Sequence, residues 1–232
     1  MKLSIIICVY NERRTILDAI HQAHAVDLGP GWEKEIIVVD NFSTDGTREL
    51  LQSVNLPGVR VAFHPRNLGK GTSVQTGIAE ASGDYFVIFD ADLEYEANDL
   101  PRMVAAIVPG ETVAVFGSRT MGGRRVYEYA KNYWGVRFLS IVANLIYGSH
   151  LTDIAVGTKL VRLDEARSLN LDGSGFDLDF ELPCKLLKRG YDIVEVPVAY
   201  HPRTVEEGKK LDTPFRTGFR ALKVILKARL QD

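Results

Sequence analysis

Cysteine is scarce in this 232-residue chain, which has only Cys8 and Cys184. They lie far apart, make no CxxC pair and sit among apolar neighbours. That excludes a disulfide framework and marks both as small core residues of a reducing compartment. No uncharged apolar run reaches the ~18 residues of a membrane span. "MKLSIIICVYNE" has too short an apolar stretch, and no cleavage site, for a signal peptide. The Asn41-Phe-Ser sequon is therefore read as chance. Charge of one sign is missing too: 28 Lys and Arg against 30 Asp and Glu leave −2. This balance makes no overall electrostatic case for nucleic-acid binding. Linkers, low-complexity tracts and internal repeats are absent, so one domain is the simplest count. The five histidines make no pairing with Glu between them that would suggest zinc.

What is present is a regular alternation. Continuous apolar, β-branched runs at 3–10, 35–40, 59–65 and 85–90 read as strands buried on both faces. Helical patterns follow them at 13–25, after Ser43 or Thr44 as N-cap, at 71–82 and at 97–108. Four such repeats predict an α/β fold, a mostly parallel sheet flanked by helices, which binds ligands at the carboxyl ends of its strands. Tyr10-Asn11-Glu12, Asp40-Asn41, Asn67 to Gly71 and Asp90 to Glu94 all fall at those ends. The second half offers a strand at 112–119, a Gly-Gly-Arg-Arg loop at 122–125, an apolar helix at 133–148 and a late strand within 192–203.

Within "VIFDADLEYE", Asp90, Asp92, Glu94 and Glu96 crowd the end of a strand. Residues two apart in an extended chain share a face, and two like charges that close repel unless a positive group lies between them. A hard cation with oxygen ligands is the simplest answer, against the plainer reading of a polar strand end that caps the next helix. "NLGKGTSVQTG" is not a Walker A loop, because the position five before Gly69 is His64. A helix N-terminus carrying Lys70 could still meet a phosphate or a nucleobase, or be a capped turn. "TPFRTGFRALKVILKARL" (213–230) has five basic residues and no acid. On a helix Arg216, Arg220, Lys223 and Lys227 form a basic stripe beside an apolar one of Phe215, Phe219, Leu222, Leu226 and Leu230. That pattern suits either a bilayer interface or a terminal helix packed on the domain.

In order along the chain, "SIIICVYNE", "EIIVVDNFSTDGT", "NLGKGTSVQTGIAEASGDYFVIFDADLE" and "FGSR" resemble glycosyltransferase family 2. "DIAVGTKLVR" and "KLLKRGYDIVEVPVAYHPRTVEEGKK" make the chain most similar to the dolichol- or polyprenyl-phosphate sugar transferases. The resemblance implies a GT-A fold over 1–212, with the basic amphipathic helix 213–232 part of it or membrane-associating. It implies an inverting transfer of a hexose from a nucleotide diphosphate sugar, of GDP-mannose or UDP-glucose type, to a polyprenyl phosphate. It assigns Asp90, Asp92 and Glu94 to Mg²⁺ or Mn²⁺, and Tyr10, Glu12, Asp40, Lys70, Asp90 and Ala91 to the nucleotide. Asp92, Arg119 and Arg203 take the catalytic roles, the two arginines holding the acceptor phosphate. It implies an enzyme on the cytoplasmic face of a membrane. Three positions depart from the family: Cys8 stands where Pro is usual, Asn41 where a second Asp is, and Glu94 where Gln is frequent.

The chemistry asks for these residue types. A metal on carboxylates neutralises the charge that develops on a nucleoside diphosphate leaving group. A phosphate acceptor is already an anion and needs positioning by Arg, whose planar fork matches its oxygens. A sugar-hydroxyl acceptor, the alternative, needs a carboxylate base, for which "GFDLDFELP" offers Asp177, Asp179 and Glu181. A nucleotidyltransferase is disfavoured because "CVYNERRT" lacks glycine, and a non-catalytic membrane module would not need four converging polar strand ends.

Overall fold

The structure, a computed structural model, describes residues 1–121, 130–203 and 214–230. The expected loop at 122–125, the "TVEEGKK" stretch and the proposed boundary at 212 lie outside the described residues. Seven strands form one sheet: β1 (Lys2–Val9), β2 (Glu33–Asp40), β3 (Val59–Phe63), β4 (Tyr85–Asp90), β5 (Ala114–Ser118), β6 (Lys159–Arg162) and β7 (Ile193–Pro197). Their order is β3-β2-β1-β4-β6-β5-β7. β1 pairs in parallel with β2 and β4, β2 with β3, and β5 with β7. The exception is β6, antiparallel to both neighbours. At four residues, with a charge at each end, it carries no strand signature in the sequence.

Helices cover both faces: α1 (Ile16–Ala25), α2 (Thr47–Gln52), α3 (Lys70–Glu80), α4 (Leu100–Ala105), α5 (Ala130–Tyr147), α6 (Leu163–Ser168), α7 (Leu178–Lys188) and α8 (Pro214–Leu230). That cover explains the unbroken apolar runs: Ile5 to Ile7 and Phe86 to Phe89 are all buried, with no alternation. Neither Ser43 nor Thr44 caps α2. Asp45 does that work from outside the helix, its carboxylate accepting the Thr47 N–H at 3.0 Å and the Arg13 N–H at 3.2 Å. The helix expected at 97–108 is a short 3-10 turn followed by α4.

A second, smaller apolar cluster joins α5, α7 and α8 through Leu139, Ala143, Phe180, Cys184, Ala221, Ile225 and Ala228. α8 is apolar on two sides. Ala221, Ile225 and Ala228 are buried against the domain, while Phe219, Leu226 and Leu230 face outward. The side chains of Phe215 and Arg216 lie outside the described residues. Arg220 and Lys227 of the basic stripe turn to acids of the domain, Asp177 at 3.0 Å and Asp172 at 3.3 Å. Among the described residues no helix is long and apolar enough to cross a membrane.

Candidate active site

Parallel register brings the carboxyl ends of three strands together: Val9 pairs with Asp40, and Cys8 with Asp90. A cavity of about 490 Å³ opens there, walled by Tyr10, Glu12, Lys70, Asp90, Ala91 and Asp92 among others. With Glu94 and Arg203 also on the wall, eight of the predicted residues thus meet in one place. Cys8 lines it as well, its thiol pushed up to about 12 by burial.

β4 stops at Asp90, so the two-residue periodicity does not carry on to Asp92. The chain turns instead: Leu93 adopts φ +61°, and the Glu94 N–H donates to Asp92 Oδ1 at 3.1 Å. The space beside Asp90 is reserved by Gly157, where an added Cβ would stand 2.4 Å from Asp90 Oδ2. Lys70, at the start of α3, reaches Asp90 at 3.0 Å and Asp179 of α7 at 3.5 Å. Burial opposes its charge, but Asp179 and Asp90 outweigh burial and hold the amine well above its ordinary range. Lys159, fully buried, lies 3.9 Å from the other Asp179 oxygen. Burial and the neighbouring Lys70 lower its pKa to about 8, against the pull of Asp179.

Asp92 is the most perturbed acid of the site. Burial, then Asp90 and Glu94, raise it to about 7, against the opposing charge of Arg203. Arg203 bridges two carboxylates, 2.8 and 3.2 Å from Glu12 and 3.2 Å from Asp92. Glu94 faces the 200–203 segment, accepting the Tyr200 O–H at 2.8 Å and the Arg203 backbone N–H at 3.0 Å. Among the described residues no three acidic, His or Cys side chains converge on one point. The donor set nevertheless fits a hard divalent cation. Asp90, Asp92 and Glu94 offer carboxylate oxygens, and Asp92 is raised by burial first and then by the charges of Asp90 and Glu94, which a cation would offset. Binding a cation there requires Arg203 and Glu94 to exchange partners.

Two predicted residues take other places. Asp40 is fully buried behind the wall, with Arg48 Nη1 at 3.0 Å and the Ser43 N–H at 3.2 Å. Its neighbour Asn41 lines the cavity instead, its amide donating to Asn67 at 2.9 Å. Arg119 is also outside the cavity wall, its guanidinium forked onto buried Asp153 at 2.7 and 2.8 Å and set over the Tyr200 ring at 5.1 Å. Both follow from elementary cost: a buried charge must be neutralised within bonding reach.

A second cavity, about 830 Å³, adjoins the first. Arg13, Arg14, His201 and Arg203 line it together with the carboxylates of Glu12, Asp45 and Asp92, and Glu12, Asp92 and Arg203 are common to both cavities. In the sequence Arg13 and Arg14 fall at the start of the 13–25 helical pattern, whereas α1 begins at Ile16 and leaves both on the cavity wall. Their signal was the pair of arginines directly after a strand-end Asn-Glu.

Residues 4–165 match the family described as Glycosyl transferase family 2. The chain is 31% identical over 214 residues to a dolichol-phosphate mannosyltransferase of Pyrococcus furiosus, covering 90% of this chain and 59% of that one. It is 30% identical over 210 residues to glycosyltransferase AglJ of Haloferax volcanii, covering 90% and 66%. An undecaprenyl-phosphate mannosyltransferase of Micrococcus luteus is 27% identical over 218 residues, covering 90% and 87%. The chain therefore spans less than two thirds of the first two relatives. The fold is that of crystalline glucosyl-3-phosphoglycerate synthase from Mycobacterium tuberculosis, solved with Mn²⁺, uridine diphosphate and phosphoglyceric acid. The TM-score is 0.74 at 21% identity, over 100% of this chain and 79% of that one.

Proposed function

Because the chain belongs to glycosyltransferase family 2, we propose that it transfers a hexose from a nucleotide diphosphate sugar to a polyprenyl phosphate with inversion, using Mg²⁺ or Mn²⁺. The observation that carries this reading is the two-lobed cleft, whose lobes meet at Asp92 and Arg203. The first lobe takes the nucleotide against Tyr10, Asn41, Lys70 and Ala91, with Asp40 stiffening the wall from behind. Asp90 and Asp92, with Glu94 once it turns inward, hold the cation, which stabilises the diphosphate leaving group when bound. The second lobe receives an anion on Arg203, Arg13 and Arg14, with Arg119 acting through Tyr200 as a positioning residue.

A phosphate acceptor is favoured over a hydroxyl because the carboxylates expected to act as a base are engaged. Asp179 lies between Lys70 and Lys159. Glu181 accepts from the Gly173 N–H and from Lys185, and Asp177 pairs with Arg220. Those ion pairs disfavour all three as a base toward a substrate hydroxyl. The relatives' names point the same way, toward dolichyl and undecaprenyl phosphate. Such an acceptor lives in a bilayer, so the enzyme works at the cytoplasmic surface, held there in part by α8. Among the described residues of α8, Lys223 and Arg229 are exposed, while Arg220 and Lys227 pair with acids of the domain.

The test is transfer from radiolabelled GDP-mannose and UDP-glucose to a polyprenyl phosphate with and without Mn²⁺. Metal-dependent label in an organic-soluble, mild-acid-labile product is the expected result. Label confined to a water-soluble glycan would favour the hydroxyl acceptor.

A further inference from the structure

Phe176 lines the mouth of the first cavity just before α7, 60% exposed, with the Lys70 ammonium 5.6 Å over its ring. A lone exposed phenylalanine is ordinary, and one on a slack loop says nothing. The backbone that presents this ring is not slack. The Thr72 N–H donates to the Ser174 carbonyl at 3.1 Å, and the Gln75 side-chain amide donates to the Gly173 carbonyl at 3.0 Å. Glu181 accepts the Gly173 N–H at 2.7 Å. Gly69 and Gly71, without a Cβ, let the turn lie directly on the start of α3. The protein thus fixes an aromatic plate beside a charged floor and leaves it uncovered.

The order of the strands indicates what the plate receives. On the proposed reading the base lies toward Asn41 and Asn67, after β2. The diphosphate lies on the cation of Asp90 and Asp92, after β4. β1 separates β2 from β4 in the sheet, so a nucleotide sugar laid out this way points its hexose onward, away from Asn41. Lys70, which lies over Phe176, is 3.0 Å from Asp90. The ring therefore stands at the diphosphate end of the cavity, where the hexose begins. A pyranose has a rim of hydroxyls and a face of C–H groups. A site that holds one needs an apolar plate with hydrogen-bonding groups at its edge. Phe176 is such a plate, and Lys70 and Asp90 are the polar groups beside it.

We propose that Phe176 is a specificity residue for the donor sugar, its ring stacking on the C–H face of the hexose while other residues of the cavity hold the nucleotide. The assignment rests on the nucleotide-sugar reading of the first cavity and is independent of which acceptor fills the second. It makes the ring sense the sugar and not the nucleotide. Phe176→Ala removes the plate without disturbing the turn, which is held through backbone atoms of Gly173 and Ser174. Because the ring is exposed, the melting temperature stays at its wild-type value.

Calorimetric titration of the full chain in Mn²⁺ with GDP, GDP-mannose, UDP and UDP-glucose tests this. For the nucleotide sugar that wild type binds more tightly, Phe176→Ala raises Kd by about tenfold, and Phe176→Tyr restores it. The Kd of the matching nucleoside diphosphate moves by less than about twofold in either variant. A loss shared equally by nucleotide sugar and nucleoside diphosphate puts the ring on the base and overturns the proposal. So does an unchanged Kd for the nucleotide sugar. A wild-type chain that binds neither nucleotide sugar removes the donor reading and this assignment together. Selective loss of sugar binding, in an enzyme whose label passes only to a water-soluble glycan, leaves Phe176 in its role and removes the polyprenyl-phosphate acceptor instead.

Discussion

Arg203 occupies the ground that a divalent cation would contest, its guanidinium shared between Glu12 and Asp92. An arginine held by two carboxylates is a competitor for the metal before it is a ligand for the acceptor. Arg203→Gln should therefore tighten Mn²⁺ binding by roughly tenfold, the worth of one charge-assisted contact removed from the competing side, while raising the acceptor KM. Calorimetric Mn²⁺ titration and acceptor-dependent rates separate the two effects, and weaker metal binding in the variant would sink the competition idea. Asp92 gives a second test, in metal-free protein. Its folded pKa, raised from 3.8 to about 7, means that the folded state keeps a proton the unfolded chain has already lost. The resulting stability is full below 3.8 and disappears as pH rises through about 7. Asp92→Asn, which imitates the protonated acid, should melt higher than wild type on the alkaline side of 7 in chelator, with the gap closing in acid. With metal present the same variant should lose on the order of a thousandfold in rate. Equal melting at every pH would deny the crowding of charge at Asp92. Residue types at this site were legible: carboxylates after β4 and a lysine opening α3 announce anion and cation chemistry. Which carboxylate is neutralised by what was not, because Arg48 meets Asp40 only through the turn between β2 and α2, and Asp153 meets Arg119 from a distant part of the chain.

At the scale of elements, α3 and the turn before α7 are built against each other with no side chain between them. A Cβ on Gly71 would stand 2.1 Å from the Gly173 carbonyl oxygen and 2.8 Å from that of Gly175. In an isolated helix Gly→Ala gains up to ~1 kcal/mol, but here a backbone oxygen must move, and overpacking of that kind costs about 1–3 kcal/mol. Gly71→Ala should destabilise the chain in denaturant and weaken nucleotide binding, because the same turn carries α7 and Asp179 to Lys70. A stabilised, fully binding variant would show the turn to be free to shift. β1, β2 and β4 were legible because burial on both faces turns period-2 alternation into unbroken apolar runs. β6 was not, being short, charged at both ends and held only by β4 and β5. The C-terminal helix was half legible: of the apolar stripe read in the sequence, Phe219, Leu226 and Leu230 are exposed while Leu222 packs on the domain. The buried stripe of Ala221, Ile225 and Ala228 was hidden, since alanine signals no face.

For the whole molecule, the cleft is where distant parts of the chain are tied together. β1 gives Glu12 its place, β4 gives Asp90 and Asp92, and the segment after β7 returns Tyr200 and Arg203 to Glu94. Lys70 and Asp179 join α3 to α7 across the same floor. Ligands that bind only this assembled arrangement stabilise the entire fold by mass action, by about 2.7 kcal/mol at a hundred times Kd. For a chain of this size each kcal/mol moves Tm by roughly 2–4 °C, so a saturating nucleoside diphosphate with Mn²⁺ should raise Tm by about 5–10 °C. On the proposed reading metal and nucleotide would answer opposite charge deficits, the cation at Asp90 and Asp92 and the anion beside Lys70. The joint shift should therefore exceed the sum of the separate ones, and Asp90→Asn should abolish the excess. Running GDP and UDP side by side makes the experiment informative about the base, for which the Asn41–Asn67 amide pair on the cavity wall is the proposed contact. A larger shift with one nucleotide assigns the donor. Strictly additive shifts would mean that metal and nucleotide bind apart, and that the acidic floor is not where the diphosphate rests.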